Sequence, residues 1–492
     1  MNRALRRIAI ASLLMFAVLL VNVNYLQAFQ ADSLTSKPSN VRAFEQQFKQ
    51  QRGQIVAADG TVMAKSVATS NAIYKYQRVY PHGPLYAPVT GYDSIFGSTG
   101  LELAEDKLLS GNDPKLLVRN FVNMITGKKP QGAQVVTTIT AKAQAAAYGA
   151  LQATGLSGGV VALDPQTGAV IALSSTPTFN PNKYATFDGA KLDKADAAYR
   201  NDRAQPLLNR AINQTYPPGS TFKIVTSSAL FSSGGYTPDT AVNAPTVLKL
   251  PGSTATLINF DGLPCGSGTE PIIYAFTVSC NTVFGGLGMK IGGAALHDQA
   301  NKFGMNSPNL TIPLPVSPSD VPLIGNDPPH VAQTAIGQYN DTVTPLQEAM
   351  FSAAIANGGQ LMKPYLVQKV EAQDLSSVES TTPALLSQAV TPTVADQVKS
   401  MMAQVTQSTN PPGTAYNATA SLRAAGIQVW AKTGTAQNGI NNTGLDDAVF
   451  TCFAQSGNQQ IAVGVVVKGG GEGADAAAPV AVAVIKAYLG QQ

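Results

Sequence analysis

Histidine is nearly missing from this chain. Among 492 residues there are only His82, His297 and His330. None of them stands in a context that would serve a serine on a strand-to-helix elbow, so a lipase-like Ser-His-Asp hydrolase is excluded. Cysteine is as scarce, at Cys265, Cys280 and Cys452. Charged residues make up 13% of the chain, about half the usual share. The net charge of +4 comes from 33 basic and 29 acidic residues, and Arg3, Arg6 and Arg7 supply three of the positives. What remains is close to neutral, which leaves no electrostatic footprint for a nucleic acid. There is no internal repeat and no second long apolar run. Apolar residues, by contrast, are 44% of the total. That content indicates a globular protein with a large core, and the length suggests roughly two or three domains.

The one long apolar run opens the chain. Ile8 to Phe29 carries no charge over about 22 residues, enough to cross ~30 Å of hydrocarbon. A cleaved signal peptide would have a shorter apolar core and a small-x-small cleavage site, and "NVNYLQAFQAD" offers no clear one. An uncleaved anchor at 8–29 is expected. The arginines before it place the tail, 1–7, in the cytoplasm and the body outside the membrane. Outside the cytosol a disulfide persists. Cys265 and Cys280 are close in sequence, while Cys452 lies in the apolar run "DDAVFTCFAQ". A Cys265–Cys280 bridge with a buried free Cys452 is expected, three free thiols being the other reading.

A mixed, polar segment, 30–155, follows the anchor. "RGQIVAADGTVMAKS" reads as a hairpin across Asp59-Gly60, a favoured turn dipeptide. "STGLELAEDKLLSG" and "PKLLVRNFVNMITG" have helical spacing, and "AQVVTTITAKAQAAAYGALQATG" reads as a strand running into a helix. Glycines at 155–159 mark a boundary. Beyond it, "GVVALDPQTGAVIALSST" reads as a hairpin; "VWAKTGTAQNG", "DDAVFTCFAQS" and "QQIAVGVVVKGG" read as strands, and "VAVAVIKAYLG" as a closing helix. Strands at both ends with helices between them predict one α/β (α+β) domain, 156–492, whose mixed sheet is assembled from distant parts of the chain and flanked by helices. The stretch 376–392 is expected to be a surface loop.

Three patterns could carry chemistry. In "YPPGSTFK", Ser220 is followed one helical turn later by Lys223. Pro217 and Pro218 cannot occupy a helix interior, and Gly219 permits a sharp turn. Apolar spacing at Phe222, Val225 and Leu230 then continues as a helix. Ser220 is thus expected at or just inside a helix N-terminus, where unpaired N–H groups favour negative charge. A lysine buried near other cations loses part of its preference for charge. Once neutral, it accepts the serine proton and activates the nucleophile without histidine. The plainer reading is an N-cap serine followed by a solvated lysine. This is the only Ser-x-x-Lys in the chain.

The second pattern is Lys432-Thr433-Gly434-Thr435 in "WAKTGTAQ". A strand edge offers backbone groups to a peptide, a glycine lets it approach, and the lysine and threonine hydroxyls suit a carboxylate. The Thr435 N–H could pair with that of Ser220 as an oxyanion hole. A solvated edge lysine beside a bulge glycine is the plainer reading. The third pattern, Ser-x-Asn, occurs at Ser110, Ser279, Ser307, Ser408 and Ser456. Of the four that follow Ser220, only Ser279-Cys280-Asn281 lies between two apolar segments of helical spacing, where a short turn would project Ser279 and Asn281 from a rigid base.

In the order Ser-x-x-Lys, Ser-x-Asn, Lys-Thr-Gly, these patterns form the set of penicillin-binding proteins and class A β-lactamases. The chain resembles the class B penicillin-binding proteins along most of its length. "RGQIVAADGTVMAKS" is similar to the opening of that family's N-terminal pedestal and "VVALDPQTGAVIALSSTPTFNPN" to the start of its transpeptidase domain. "NRAINQTYPPGSTFK" resembles its nucleophile segment, and "IGQYNDTVTPLQEAMFSAAIANGGQLMKPYLV" the stretch before Lys-Thr-Gly. Chain length, a short pedestal and the "PCG…SCN" pair most resemble an actinobacterial subgroup.

The resemblance implies a penicillin-binding-protein fold with a pedestal at 30–155 and a D,D-transpeptidase domain at 156–492. It implies that Ser220 forms an acyl-enzyme with stem peptides ending in D-Ala-D-Ala, and with β-lactams. Lys223 would be the base and Ser279 a proton relay. Asn281 would hold the substrate amide, and Lys432, Thr433, Gly434 and Thr435 the terminal carboxylate. No metal or cofactor is implied; a lipid-II polymerase is the implied membrane partner. Residues 30–155 are too few for a glycosyltransferase domain, and no deacylating base of a β-lactamase is evident. A D,D-carboxypeptidase, or a non-catalytic β-lactam sensor or division scaffold, is the alternative.

Overall fold

The computed structural model describes residues 3–30, 48–116, 131–437 and 444–490. The expected anchor is helix α1 (Arg3–Tyr25), whose segment Leu5–Tyr25 is long and apolar enough to cross a membrane. The body is built from β1 (Ile55–Val56), β2 (Val62–Ala68), β3 (Tyr76–Val79), β4 (Gln134–Thr137), α2 (Ala141–Ala153), β5 (Gly158–Leu163), β6 (Val170–Thr176), α3 (Lys223–Ser232), α4 (Ile272–Thr277) and α5 (Asn281–Ile291). It continues with α6 (Pro345–Ala356), β7 (Val367–Glu371), β8 (Ser377–Ser380), α7 (Pro392–Gln407), β9 (Gln428–Ala436), β10 (Asp447–Ser456), β11 (Gln459–Val467) and α8 (Ala478–Leu489).

The expected hairpins form. β1 and β2 pair antiparallel across Asp59-Gly60, where Asp59 Oδ1 accepts from Thr61 N at 3.0 Å. β5 and β6 pair antiparallel, and β9, β10 and β11 form a long meander. β11 pairs with β5, so one five-stranded sheet runs β9-β10-β11-β5-β6, and it is antiparallel throughout instead of the expected mixed sheet, because hairpin connections join its strands within each half. The two halves of the domain meet there, as the apolar runs at its two ends predict. Gly464 and Thr451 share one face, which receives α6; the Thr451 hydroxyl meets that of Ser352 at 2.7 Å. Gly158 opens on the other face, where Leu151 of α2 stands over it. α6 is buried on every side from Pro345 to Ile355; most of its residues are apolar, and the polar Gln347, Glu348 and Ser352 each meet a partner in the core.

The segment "PKLLVRNFVNMITG", expected to be helical, lies mostly outside the described residues. The stretch 376–392 is not the expected loop. It holds β8 and a strand, Leu385–Gln388, paired with Gln360–Met362. Its residues are mostly exposed, as at a surface, but a partner strand satisfies its backbone. Such short, polar edge strands lack the apolar run that marks a strand in sequence. β7 and β8 also complete the N-terminal sheet, whose order is β8-β7-β4-β1-β2-β3. A segment from between α6 and α7 thereby ties this sheet to the larger domain.

The N-terminal unit is held by a buried ionic cluster that the sequence did not announce. Glu102 is fully buried and accepts from Arg52 Nε at 2.7 Å and Arg78 Nε at 2.6 Å. Arg52 also reaches Asp106 at 2.6 Å, and the Tyr80 hydroxyl lies 3.2 Å from Glu102. Burial alone would raise the carboxyl's pKa, but the two guanidiniums outweigh it and hold Glu102 below its usual value. Removing the shared anion leaves two guanidiniums buried together. Glu102→Ala is therefore expected to cost about 3–5 kcal/mol, read as a fall in the urea midpoint of the detergent-solubilised protein; a change below 1 kcal/mol would show that the cluster is solvated.

Candidate active site

Ser220 stands where its flanking residues predict. A 3-10 turn, Gly219–Phe222, runs directly into α3. Tyr216 N donates to Val343 O and Gly219 N to Gly337 O, both at 2.9 Å, which pins the turn from behind. Gly219 has φ +55°, and a Cβ there would lie 2.7 Å from Thr435 O. Glycine thus serves both the backbone conformation and the close approach to β9. Gly434 on β9 is the counterpart, since a Cβ there would meet Pro218 O at 2.9 Å.

Ser279 and Cys280 form the short turn between α4 and α5. Ser279 adopts φ +63°, a conformation that costs a non-glycine residue about 1–3 kcal/mol. It aims both the carbonyl and the hydroxyl of Ser279 at one amine, that of Lys223. Lys223 Nζ lies 2.9 Å from Ser220 Oγ, 2.8 Å from Ser279 O, 3.2 Å from Ser279 Oγ and 2.8 Å from Asn281 Oδ1. Lys432 Nζ, from β9, lies 2.8 Å from the same Ser279 Oγ and 2.9 Å from Thr433 O. Three stretches distant in sequence thus converge on two amines and three polar side chains. Ser220, Ser279, Asn281, Thr433 and Thr435 line a cavity of about 1000 Å³ beside them.

The penicillin-binding protein transpeptidase domain matches residues 158–486, and the penicillin-binding protein A dimerisation domain matches residues 52–135. The chain is 41% identical to the peptidoglycan D,D-transpeptidase PbpA of Mycolicibacterium smegmatis and 39% identical to PbpA of Mycobacterium tuberculosis, over 99% of both chains in each case. It superposes on the ceftriaxone acyl-enzyme complex of M. tuberculosis penicillin-binding protein A with TM-score 0.85 and 38% identity, over 90% of this chain and all of that one. The chain belongs to the class B penicillin-binding proteins. It is a peptidoglycan D,D-transpeptidase with the transpeptidase fold and a dimerisation (pedestal) domain, as the motifs and the longer matching segments imply, and the actinobacterial likeness expected from chain length, the short pedestal and the cysteine pair is found.

In this penicillin-binding protein both lysines are fully buried. Burial, then the neighbouring Lys432, pushes Lys223 well below the usual lysine value, and burial brings Lys432 down to about 7. Each amine also stands over an aromatic ring, Lys223 over Phe284 at 5.6 Å and Lys432 over Phe276 at 5.5 Å. The hydrogen bonds of Lys223 fit a neutral amine. Ser279 O and Asn281 Oδ1 can only accept, so they take its two N–H groups and leave the lone pair for the Ser220 hydroxyl. The plainer reading of Ser220 and Lys223, an N-cap with a solvated lysine, is overturned by this burial.

Several neighbours were not evident from sequence. The Thr414 hydroxyl meets that of Thr433 at 2.7 Å, and Gln338 Nε2 lies 3.5 Å from Thr435 O. A segment spanning Thr256 to Asp261 forms one wall of the cavity, with Asn281 Nδ2 donating to Ile258 O at 3.3 Å and Thr282 N to Asn259 Oδ1 at 3.0 Å. The one signal for that wall is Cys265, which is bridged to Cys280 with Cα atoms 5.9 Å apart, while Cys452 is free and buried in β10.

Two outcomes follow from these contacts. An unfolded lysine keeps its proton to about 10.5 and folded Lys432 only to about 7. Between those values the unfolded chain binds more protons, so this lysine makes stability rise with pH. The melting temperature of the wild type should therefore gain on that of Lys432→Met as pH goes from 7 to 10; parallel curves would mean that Lys432 stays charged when folded. The bridge closes a loop with a sequence separation of 15, and a loop of that size is worth about 3 kcal/mol. The double variant Cys265→Ala/Cys280→Ala should melt lower and acylate more slowly. Unchanged melting and unchanged acylation together would remove the bridge from any role in the site.

Proposed function

We propose that Ser220 is the nucleophile that takes the acyl group from a peptidoglycan stem peptide ending in D-Ala-D-Ala, with Lys223 as its base. The observation that carries this is Lys223 Nζ, fully buried and 2.9 Å from Ser220 Oγ, with its other two short contacts made to acceptors. As Ser220 Oγ bonds to the penultimate D-alanyl carbonyl carbon, its proton passes to Lys223. The N–H groups of Ser220 and Thr435 receive the developing oxyanion. Terminal D-alanine then leaves as an amine and needs a proton. Ser279 Oγ lies between the two lysine nitrogens, at 3.2 and 2.8 Å, and relays it. Asn281 holds the substrate amide, while Lys432, Thr433 and Thr435, with Gly434 giving access, hold the terminal carboxylate. An amine from a second stem reverses these steps and leaves the crosslink. A β-lactam enters by the same attack, and its ring opening leaves the acyl group on Ser220. Support comes from M. tuberculosis penicillin-binding protein A, described as acyl-enzyme complexes with ceftriaxone, imipenem and penicillin G.

α1 serves as a single-pass anchor with the arginine-bearing tail in the cytoplasm and the catalytic domain outside, since basic residues are retained on the cytoplasmic side. In this reading the partner in the membrane is a polymerase of lipid II, which supplies the strands to be joined.

Fluorescent penicillin should label the wild type covalently and leave Ser220→Ala unlabelled. Label retained in the variant would move the nucleophile elsewhere. With a stem peptide and an acceptor amine, a crosslinked product is expected beside released D-alanine; release without crosslink would mark a carboxypeptidase.

A further inference from the structure

Glu348 lies on α6 with no solvent exposure. Its neighbours on the same helix, Ala349, Met350 and Phe351, fill the core with apolar groups. A carboxyl in such a place is costly unless its polar atoms are partnered. Its Oε1 lies 2.8 Å from Thr221 Oγ1, and that same hydroxyl lies 2.8 Å from Pro218 O. Oε2 has no hydrogen-bond partner among the described residues.

Two oxygen–oxygen contacts at 2.8 Å need two protons. Thr221 has one, and the Pro218 carbonyl has none. The second must come from Glu348. We infer that Glu348 is a positioning residue for the nucleophile: as a neutral acid it donates to Thr221 Oγ1, which donates in turn to Pro218 O, and this chain fixes the turn that carries Ser220. An ionised carboxylate would leave charge on the unpartnered Oε2 and set two acceptors against each other at Thr221. Burial, opposed by the Thr221 hydrogen bond, raises the Glu348 pKa to about 8, in agreement with the geometry.

The place of this chain gives it a function. Pro218 and Thr221 bracket Gly219-Ser220, and both face Gly434, where an added Cβ would meet Pro218 O at 2.9 Å and Thr221 Cγ2 at 3.1 Å. Glu348 therefore holds the turn at the point where it meets β9. It sets the separation of Ser220 from the strand that carries Lys432 and Thr435 without touching substrate itself. A misplacement of about 1 Å in such a site costs up to about a hundredfold in rate.

This inference rests on Ser220 as the nucleophile, and Ser220→Ala in the same assay tests that separately. Full-length protein in detergent is mixed with a fluorescent penicillin over a range of concentrations, which separates the acylation rate constant from the affinity of the first complex. Glu348→Gln keeps a donor for Thr221 and should acylate within about threefold of the wild type. Glu348→Leu and Thr221→Val should each lose about tenfold or more in the rate constant, with a smaller change in affinity, and the double variant should be no slower than the slower single one. Thr221→Ser should restore the rate. If Glu348→Leu fails to fold, Glu348→Gln against Thr221→Val and Thr221→Ser decides. A folded Glu348→Leu protein at the wild-type rate, a Glu348→Gln protein as slow as Thr221→Val, or a Thr221→Ser protein that stays slow would overturn the positioning role and leave Ser220 as the nucleophile.

Discussion

Two amines buried within hydrogen-bonding reach of one hydroxyl are the constraint on which the site turns. Lys223 and Lys432 both touch Ser279 Oγ, and neither has solvent exposure. Two ammonium charges cannot share a dry pocket cheaply, so at least one proton is given up. Burial and the neighbouring Lys432 push Lys223, the amine that faces Ser220, well below the usual lysine value. In the mechanism proposed above, a protein with three histidines runs serine chemistry in this way, its base supplied by desolvation and a like charge and not by an imidazole.

That arrangement requires the surrounding fold to be stiff in a few places. The five-stranded sheet sets Lys432 at the level of the Ser220 turn, and Gly434 and Gly219 let the two backbones meet. The Cys265–Cys280 bridge and the positive φ of Ser279 hold the third wall. Beneath the turn, Glu348 and Thr221 carry polar contacts into the core. The buried Glu102 cluster does a comparable task in the N-terminal unit, where two arginines share one anion. In each case a polar group is buried at a cost and repaid by fixing a geometry, which apolar packing alone leaves loose.

The motif residues were legible because each pattern has a local cause. Prolines and a glycine force Ser220 to a helix start, spacing places Lys223 one turn on, and two apolar helices leave Ser279-Cys280 as the turn between them. The strands of the central sheet were legible from apolar runs bounded by turn residues. β8 and the strand Leu385–Gln388 were not, because short, polar edge strands owe their structure to a partner rather than to their own composition. Thr414, Gln338, Glu348 and the Arg52–Glu102–Arg78 cluster carry no local signal either. A buried polar residue and a solvated one look alike in sequence.

The sequence by itself determined which chemistry this protein could hold: an apolar run long enough to cross a membrane, a serine and lysine on one helical face, a Ser-x-Asn turn, a Lys-Thr-Gly strand and no histidine placed for a Ser-His-Asp triad. Only the tertiary structure decided that the lysines are buried together. Protonation depends on what surrounds a side chain in space, and the residues that surround Lys223 come from positions 220, 279, 281 and 432. Local spacing cannot bring these together; the sheet that joins the two ends of the domain does.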